Sequence, residues 1–284
     1  MTPRDTSQRT RFGWLRVLLS GSALFVVATV VLFATGNPTL FPTVLLLGNF
    51  LIPVVFVSFL YDRRQVSGLS VPSVAQAFLI GGLLGLLGAA VLEPALLPPS
   101  GPEQGLSLSA AFLVGIIEEG SKIAAVAFLV RWARHNVAID GLLLGGAVGM
   151  GFAALESNGY AFNAFVQSGG QVSAAVFSTV LRSFLAPFGH GVWTAILAAV
   201  LFREGTATHF RVNAAVGWTF LLVAGLHGLW DGLPQGFALI VPPGVPIPIS
   251  LLVISSVGVL ILWRLYRQAA RQLPERLAQS DPRP

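Results

Sequence analysis

Apolar runs of about 20 residues recur from one end of the chain to the other, each long enough to cross a hydrocarbon core of ~30 Å as a helix. Eight spans are predicted, at about 17–36, 39–60, 74–97, 108–130, 141–166, 175–202, 213–236 and 247–265. A helix satisfies its own backbone polar groups, which lipid requires. Pro234 and the run PPGVPIP from position 242 interrupt the last part of this pattern. They predict irregular chain there, including a possible re-entrant turn, and leave seven spans as the alternative count.

Composition agrees with the pattern. The 284 residues are 54% hydrophobic and 10% charged, with a mean hydropathy of +0.77, whereas an ordinary soluble domain is roughly 25% charged. The predicted fold is an all-α polytopic transmembrane bundle, with no soluble domain between spans. Its expected parts are a basic N-terminus (1–16), a first group of three helices (17–107), a core of four (108–236), a last helix (237–265) and a basic tail (266–284).

Charge supplies a separate test of topology, because Lys and Arg concentrate in cytoplasmic loops. Of the 17 basic residues, 15 fall on one side of an eight-span arrangement. They are Arg4, Arg9, Arg11 and Arg16; Arg63 and Arg64; Arg131 and Arg134; Arg203 and Arg211; and Arg264, Arg267, Arg271, Arg276 and Arg283. Both termini are therefore expected in the cytoplasm. The first span is longer than a signal-peptide core and lacks a small-residue cleavage site, so it reads as a retained helix. The high pI fits loops held against anionic lipid, not nucleic-acid binding. With no cysteine, disulfides, thiolate chemistry and Cys-ligated metals are excluded.

The two remaining basic residues, Lys122 and Arg182, lie inside spans. So do Glu118, Glu119, Glu156, His190, His227 and Asp231. An ionisable side chain at the bilayer centre costs ~2.5–3.5 kcal/mol, which makes each a functional candidate. Glu118 and Lys122 are four residues apart and face one another, while Glu119, about 100° around the helix, is predicted to point elsewhere. His227 and Asp231 share the same spacing, which lets the carboxylate orient the imidazole. Pro187 predicts a kink three residues before His190. Glycines at 81 and 85, and at 141, 145 and 149, predict close helix packing.

Taken singly, each polar residue has a structural explanation: an ion pair, a protonated carboxyl, a helix-to-helix hydrogen bond. Arg182 reads as an anchor or as a partner for an acid. Gathered together, the carboxylates and imidazoles are the parts of a hydrolase. A glutamate can take a proton from water, and a histidine or a metal can stabilise the oxyanion. Zn²⁺ accepts His and carboxylate ligands and keeps one position for water. The metal-ligand candidates are Glu119, Glu156, His190 and His227; a metal-free mechanism driven by glutamate is the alternative. A proton- or cation-coupled transporter, or an inactive scaffold, would use the same residues, although no internal repeat of the transporter kind is visible.

Four segments carry a resemblance: EEGSK from 118, FAALE from 152, FGHGVWT from 188 and HGLWD from 227. Together they resemble the PrsW family of intramembrane metalloproteases, distant relatives of the CAAX prenyl proteases and bacteriocin-processing enzymes. The resemblance covers about Ala110 to Gly232 and implies proteolysis in or near the membrane. It makes Glu118 the expected water-activating base. It also puts Glu156 where CAAX relatives have a histidine, and His227 with Asp231 in their last motif. A single-span substrate such as an anti-sigma factor is the partner it suggests.

Overall fold

Apolar runs in a chain that must satisfy its own backbone become helices, and the computed structural model shows little else. It describes residues 12–64, 67–98, 106–131, 137–206, 209–233, 238–241 and 245–280. The basic residues at 4, 9 and 11, Arg134, Arg283, Pro234 and residues 242–244 lie outside them.

In chain order come α1 (Gly13–Thr35), a 3-10 turn (Pro38–Leu40) and α2 (Phe41–Asp62). Helix α3 (Val71–Gln76) continues through a π-helical turn (Ala77–Gly81) into α4 (Gly82–Leu96). Then come α5 (Leu108–Val130), α6 (Ala138–Gln167), α7 (Val172–Leu185), a 3-10 turn (Ala186–Phe188), α8 (His190–Glu204) and α9 (Ala214–Gly232). A hairpin of β1 (Ala238–Val241) and β2 (Val245–Pro248) leads into α10 (Ile249–Ser280).

Among the described residues, six helical stretches are long and apolar enough to cross a membrane: 13–35, 38–62, 71–96, 138–167, 172–204 and 249–271. The other two long helices, α5 and α9, are the ones with Glu118, Glu119 and Lys122, and with His227 and Asp231, in their sequences. The chain is thus a multi-pass membrane protein, and the polar residues that sequence places inside spans lie on these two helices and, as Glu156 and His190, within two of the six stretches.

Burial separates centre from rim. Of the apolar window of each helix, 89% is buried in α6 but only 6% in α1 and 11% in α10. Helix α6 is the pillar of the bundle, and α1 and α10 face outward. Where the proline-rich segment predicts irregular chain, its described residues 245–248 pair antiparallel with 238–241, Ala238 opposite Pro248 and Val241 opposite Val245. A proline offers no N–H to a helix but is tolerated on an edge strand.

Glycine sets the closest approach. Gly141, Gly145 and Gly149 on α6 lie against the carbonyls of Ala198, Thr194 and His190 on α8, where a Cβ would collide with each oxygen. Both series advance by four residues, so one face of α6 meets one face of α8 without side chains between. Gly149 therefore seats the backbone of His190. Gly149→Ala is expected to cost about 1–3 kcal/mol through overpacking. Thermal unfolding in detergent checks this, with Gly217→Ala, where nothing lies within 4 Å, leaving stability unchanged.

Pro187 does more than kink its helix. Helix α7 stops at Leu185, the 3-10 turn follows, and Gly189 (φ −107°, ψ −105°) is neither helical nor extended. His190 then begins a new helix. Its position is fixed from below by Gly149 and from the side by the turn.

Candidate active site

Four helices deliver the polar residues to one place. Glu118, Glu119 and Lys122 come from the middle of α5, Glu156 from α6, His190 from the first position of α8, and His227 with Asp231 from the last turns of α9. Glu118, Glu119, Lys122 and His227 are buried. Glu156, His190 and Asp231 are partly open, with side-chain exposures of 16%, 12% and 30%, so the cluster has an accessible edge.

The ammonium of Lys122 binds both glutamates, not Glu118 alone. Its Nζ lies 3.0 Å from Glu118 Oε2 and 2.8 Å from Glu119 Oε1. The 100° step between adjacent helical positions suggests that one lysine cannot serve both, but residues at i−3 and i−4 flank the same side of the helix and a four-carbon stem reaches between them. The same ammonium lies 2.8 Å from His190 Nδ1 and 4.0 Å from the centre of the Phe152 ring. Its three donors are directed at two carboxylates and an imidazole.

Three ligand atoms, one each from Glu118, His190 and His227, lie within 4.8 Å of one another. Glu118 Oε2 is 3.7 Å from His190 Nδ1 and 3.6 Å from His227 Nε2. A tetrahedral ion with ligands at ~2.0–2.2 Å separates its ligand atoms by about 3.3–3.6 Å, so these two separations suit zinc, and a His190 Nδ1 bound to zinc would give up the Lys122 ammonium now 2.8 Å from it. Two nitrogens and one carboxylate oxygen also leave one position for water.

Glu119 and Glu156, expected among the ligands, sit one layer farther out. Glu119 Oε1 accepts from Lys122 and is 3.2 Å from His227 Nδ1, and its Oε2 accepts from Thr194 Oγ1 at 3.0 Å. Glu156 Oε2 accepts from Arg182 Nη2 at 2.7 Å and lies 3.4 Å from His190 Nε2. Each imidazole thus shows one nitrogen to the Glu118 oxygen and the other to a carboxylate. That is the arrangement by which outer carboxylates fix the tautomer and orientation of ligating histidines. Asp231 Oδ2 lies 3.4 Å from His227 Nε2, on the open side.

Three further partners are not evident from sequence patterns. Thr194 lies four residues after His190, one helical turn away, and holds Glu119. Trp193 stacks near His227 with ring centres 4.8 Å apart, and Phe152 lies 5.4 Å from His190. A polar residue one turn from a candidate histidine was the available signal for Thr194. The two aromatics look like ordinary core positions in a chain of this composition. Arg182 meets the expectation that it pairs with an acid, and the acid is Glu156.

Comparison with known proteins bears on what this arrangement is. No curated protein and no solved structure matches the chain. A family model, PrsW family intramembrane metalloprotease, matches residues 70–262. That interval begins just before α3, ends within α10, and includes every residue of the cluster. The buried carboxylate and two imidazoles on α5, α8 and α9, with carboxylates behind both rings, are therefore set in a chain that belongs to the PrsW family of intramembrane metalloproteases.

Proposed function

We propose that this protease hydrolyses a peptide bond in or near the membrane-spanning part of a single-span membrane protein, at a zinc site made by Glu118, His190 and His227. The observation that carries this reading is the clustering of those three ligand atoms within 4.8 Å, deep in a bundle of apolar helices. Zinc held there would polarise a scissile carbonyl and make bound water acidic near neutral pH. The chain's own groups do the rest. Glu119 and Glu156 hold the two imidazoles in one tautomer, Lys122 balances the carboxylates, and Asp231, at the open edge, accepts the proton from water. An anti-sigma factor with a single span is one substrate of this class.

Elemental analysis of the purified protein is expected to find about one zinc per chain, and none in His227→Ala. Cleavage of a panel of single-span membrane peptides should stop on chelation and return with added zinc. Full activity in metal-stripped protein would overturn the zinc site and favour direct attack by glutamate-activated water. Substrate-independent proton flux in reconstituted vesicles, without cleavage, would favour transport.

Arg182→Gln tests the outer layer. It removes the guanidinium from Glu156 while leaving the ligand trio intact. A loss of roughly 10- to 100-fold in zinc affinity or cleavage is expected, the usual cost of an outer partner.

A further inference from the structure

Helices α2 and α10 do not pack along their lengths, and between them runs a groove of about 620 Å³. Its walls are apolar, including Ile52 and Phe59 on α2 and Leu262 and Trp263 on α10. Its floor is α6 together with Pro187 and Val192 at the break between α7 and α8. The groove ends at Arg63 and Arg64, and there Tyr266 Oη donates to the Arg63 carbonyl at 3.1 Å. We infer that this groove is a binding site for one anionic phospholipid, with its phosphate on Arg63 and Arg64 and its acyl chain reaching the turn before His190.

Three observations select that ligand. First, among the described residues neither arginine has a carboxylate within ion-pair distance; Arg63 lies over Phe59 and Arg64 over Tyr61, both at 3.5 Å. The neighbouring Asp62 accepts from the Trp14 backbone N–H at 3.0 Å, at the start of α1. Second, Trp14 also lines the groove, and its indole Nε1–H is buried with no hydrogen-bond partner among the described residues. A phosphate or ester oxygen beside the arginines would satisfy that donor.

Third, the dimensions fit one leaflet. From Ile52 to Arg63 the helix rises ~16 Å, close to half of a ~30 Å hydrocarbon core. Over this depth the groove is lined by apolar side chains such as Val55, Phe56 and Leu142, as an acyl chain requires. The arginine-rich end is the one assigned to the cytoplasm by charge distribution, where the leaflet is anionic. The chain's far end meets Pro187 and Phe188, which lead into His190, so the lipid braces the turn that places this histidine.

Native mass spectrometry of the full chain, delipidated in detergent, tests the site with phosphatidylglycerol and phosphatidylcholine of identical acyl chains. Wild type is expected to retain one phosphatidylglycerol in preference to phosphatidylcholine. The double variant Arg63→Gln with Arg64→Gln should retain phosphatidylglycerol roughly 10- to 30-fold less well. Val259→Trp, which fills the groove from its outward-facing α10 wall, should lose both lipids. Retention of the two lipids in equal measure, or unchanged retention in either variant, would overturn the proposal. So would full competition by glycerophosphoglycerol without acyl chains, which would make it a free-phosphate site. Crosslinking of a single-span peptide instead of lipid to a photoreactive group at position 259 would make it a substrate groove.

Discussion

Lys122→Met should destabilise the protein by about 3–5 kcal/mol, the usual cost of removing one partner from a buried ion pair. The side chain is fully buried, and its ammonium is within 3.0 Å of carboxylate oxygens from both Glu118 and Glu119. Methionine fills nearly the same volume, so the loss is one of charge and hydrogen bonds more than of packing. Two carboxylates would then face one another in a dry interior, and burying an unpaired charge is far costlier than burying a paired one. Adding Glu119→Gln to Lys122→Met should recover part of the loss, because it removes one of the orphaned charges. Denaturation in mixed micelles gives both numbers. Zinc should also stabilise the single variant, since a ligand that binds only the folded state raises its stability by mass action. No loss of stability in Lys122→Met would mean that the glutamates do not depend on the ammonium.

The helical passages and the polar residues that form the cluster were legible in the sequence because each has a strong local signature. Apolar length and charge inside a span need no knowledge of neighbours. The glycines at 141, 145 and 149 were legible for the same reason, and they do meet a single helix, α8. What the sequence could not show was how side chains are shared in three dimensions. Glu118 and Glu119 look alike in sequence, and only the positions of α8 and α9 separate them. Thr194 takes one oxygen of Glu119 and His227 the other, while Glu118 Oε2 is left between the two imidazoles. Glu156 was diverted in the same way by Arg182, 26 residues later in the chain. The depth of the break at Pro187 was also hidden, because the consequence of a proline depends on what receives the freed backbone. Here Gly189 allows the chain to restart as a new helix.

The two adjacent glutamates should therefore respond differently to the same chemical change. Glu118→Gln removes a charged oxygen that lies 3.6–3.7 Å from both imidazole nitrogens, and is expected to abolish bound zinc and lower cleavage by on the order of 10²–10⁴-fold. Glu119→Gln leaves those three ligand atoms in place and weakens only the support behind His227, so zinc should remain with a loss of ~10- to 100-fold. Both variants keep one carboxylate for Lys122, which makes their stabilities comparable and isolates chemistry from folding. Zinc content, cleavage rate and melting temperature measured on the two proteins decide between the roles. A larger catalytic loss in Glu119→Gln than in Glu118→Gln, at equal stability, would invert the assignment: Glu119 would be the carboxylate at the reacting centre and Glu118 the counter-ion of the lysine. The geometry favours the first order, because every oxygen of Glu119 already has a protein partner within 3.2 Å, and a carboxylate so fully engaged is placed to orient a ring, not to ligate a metal.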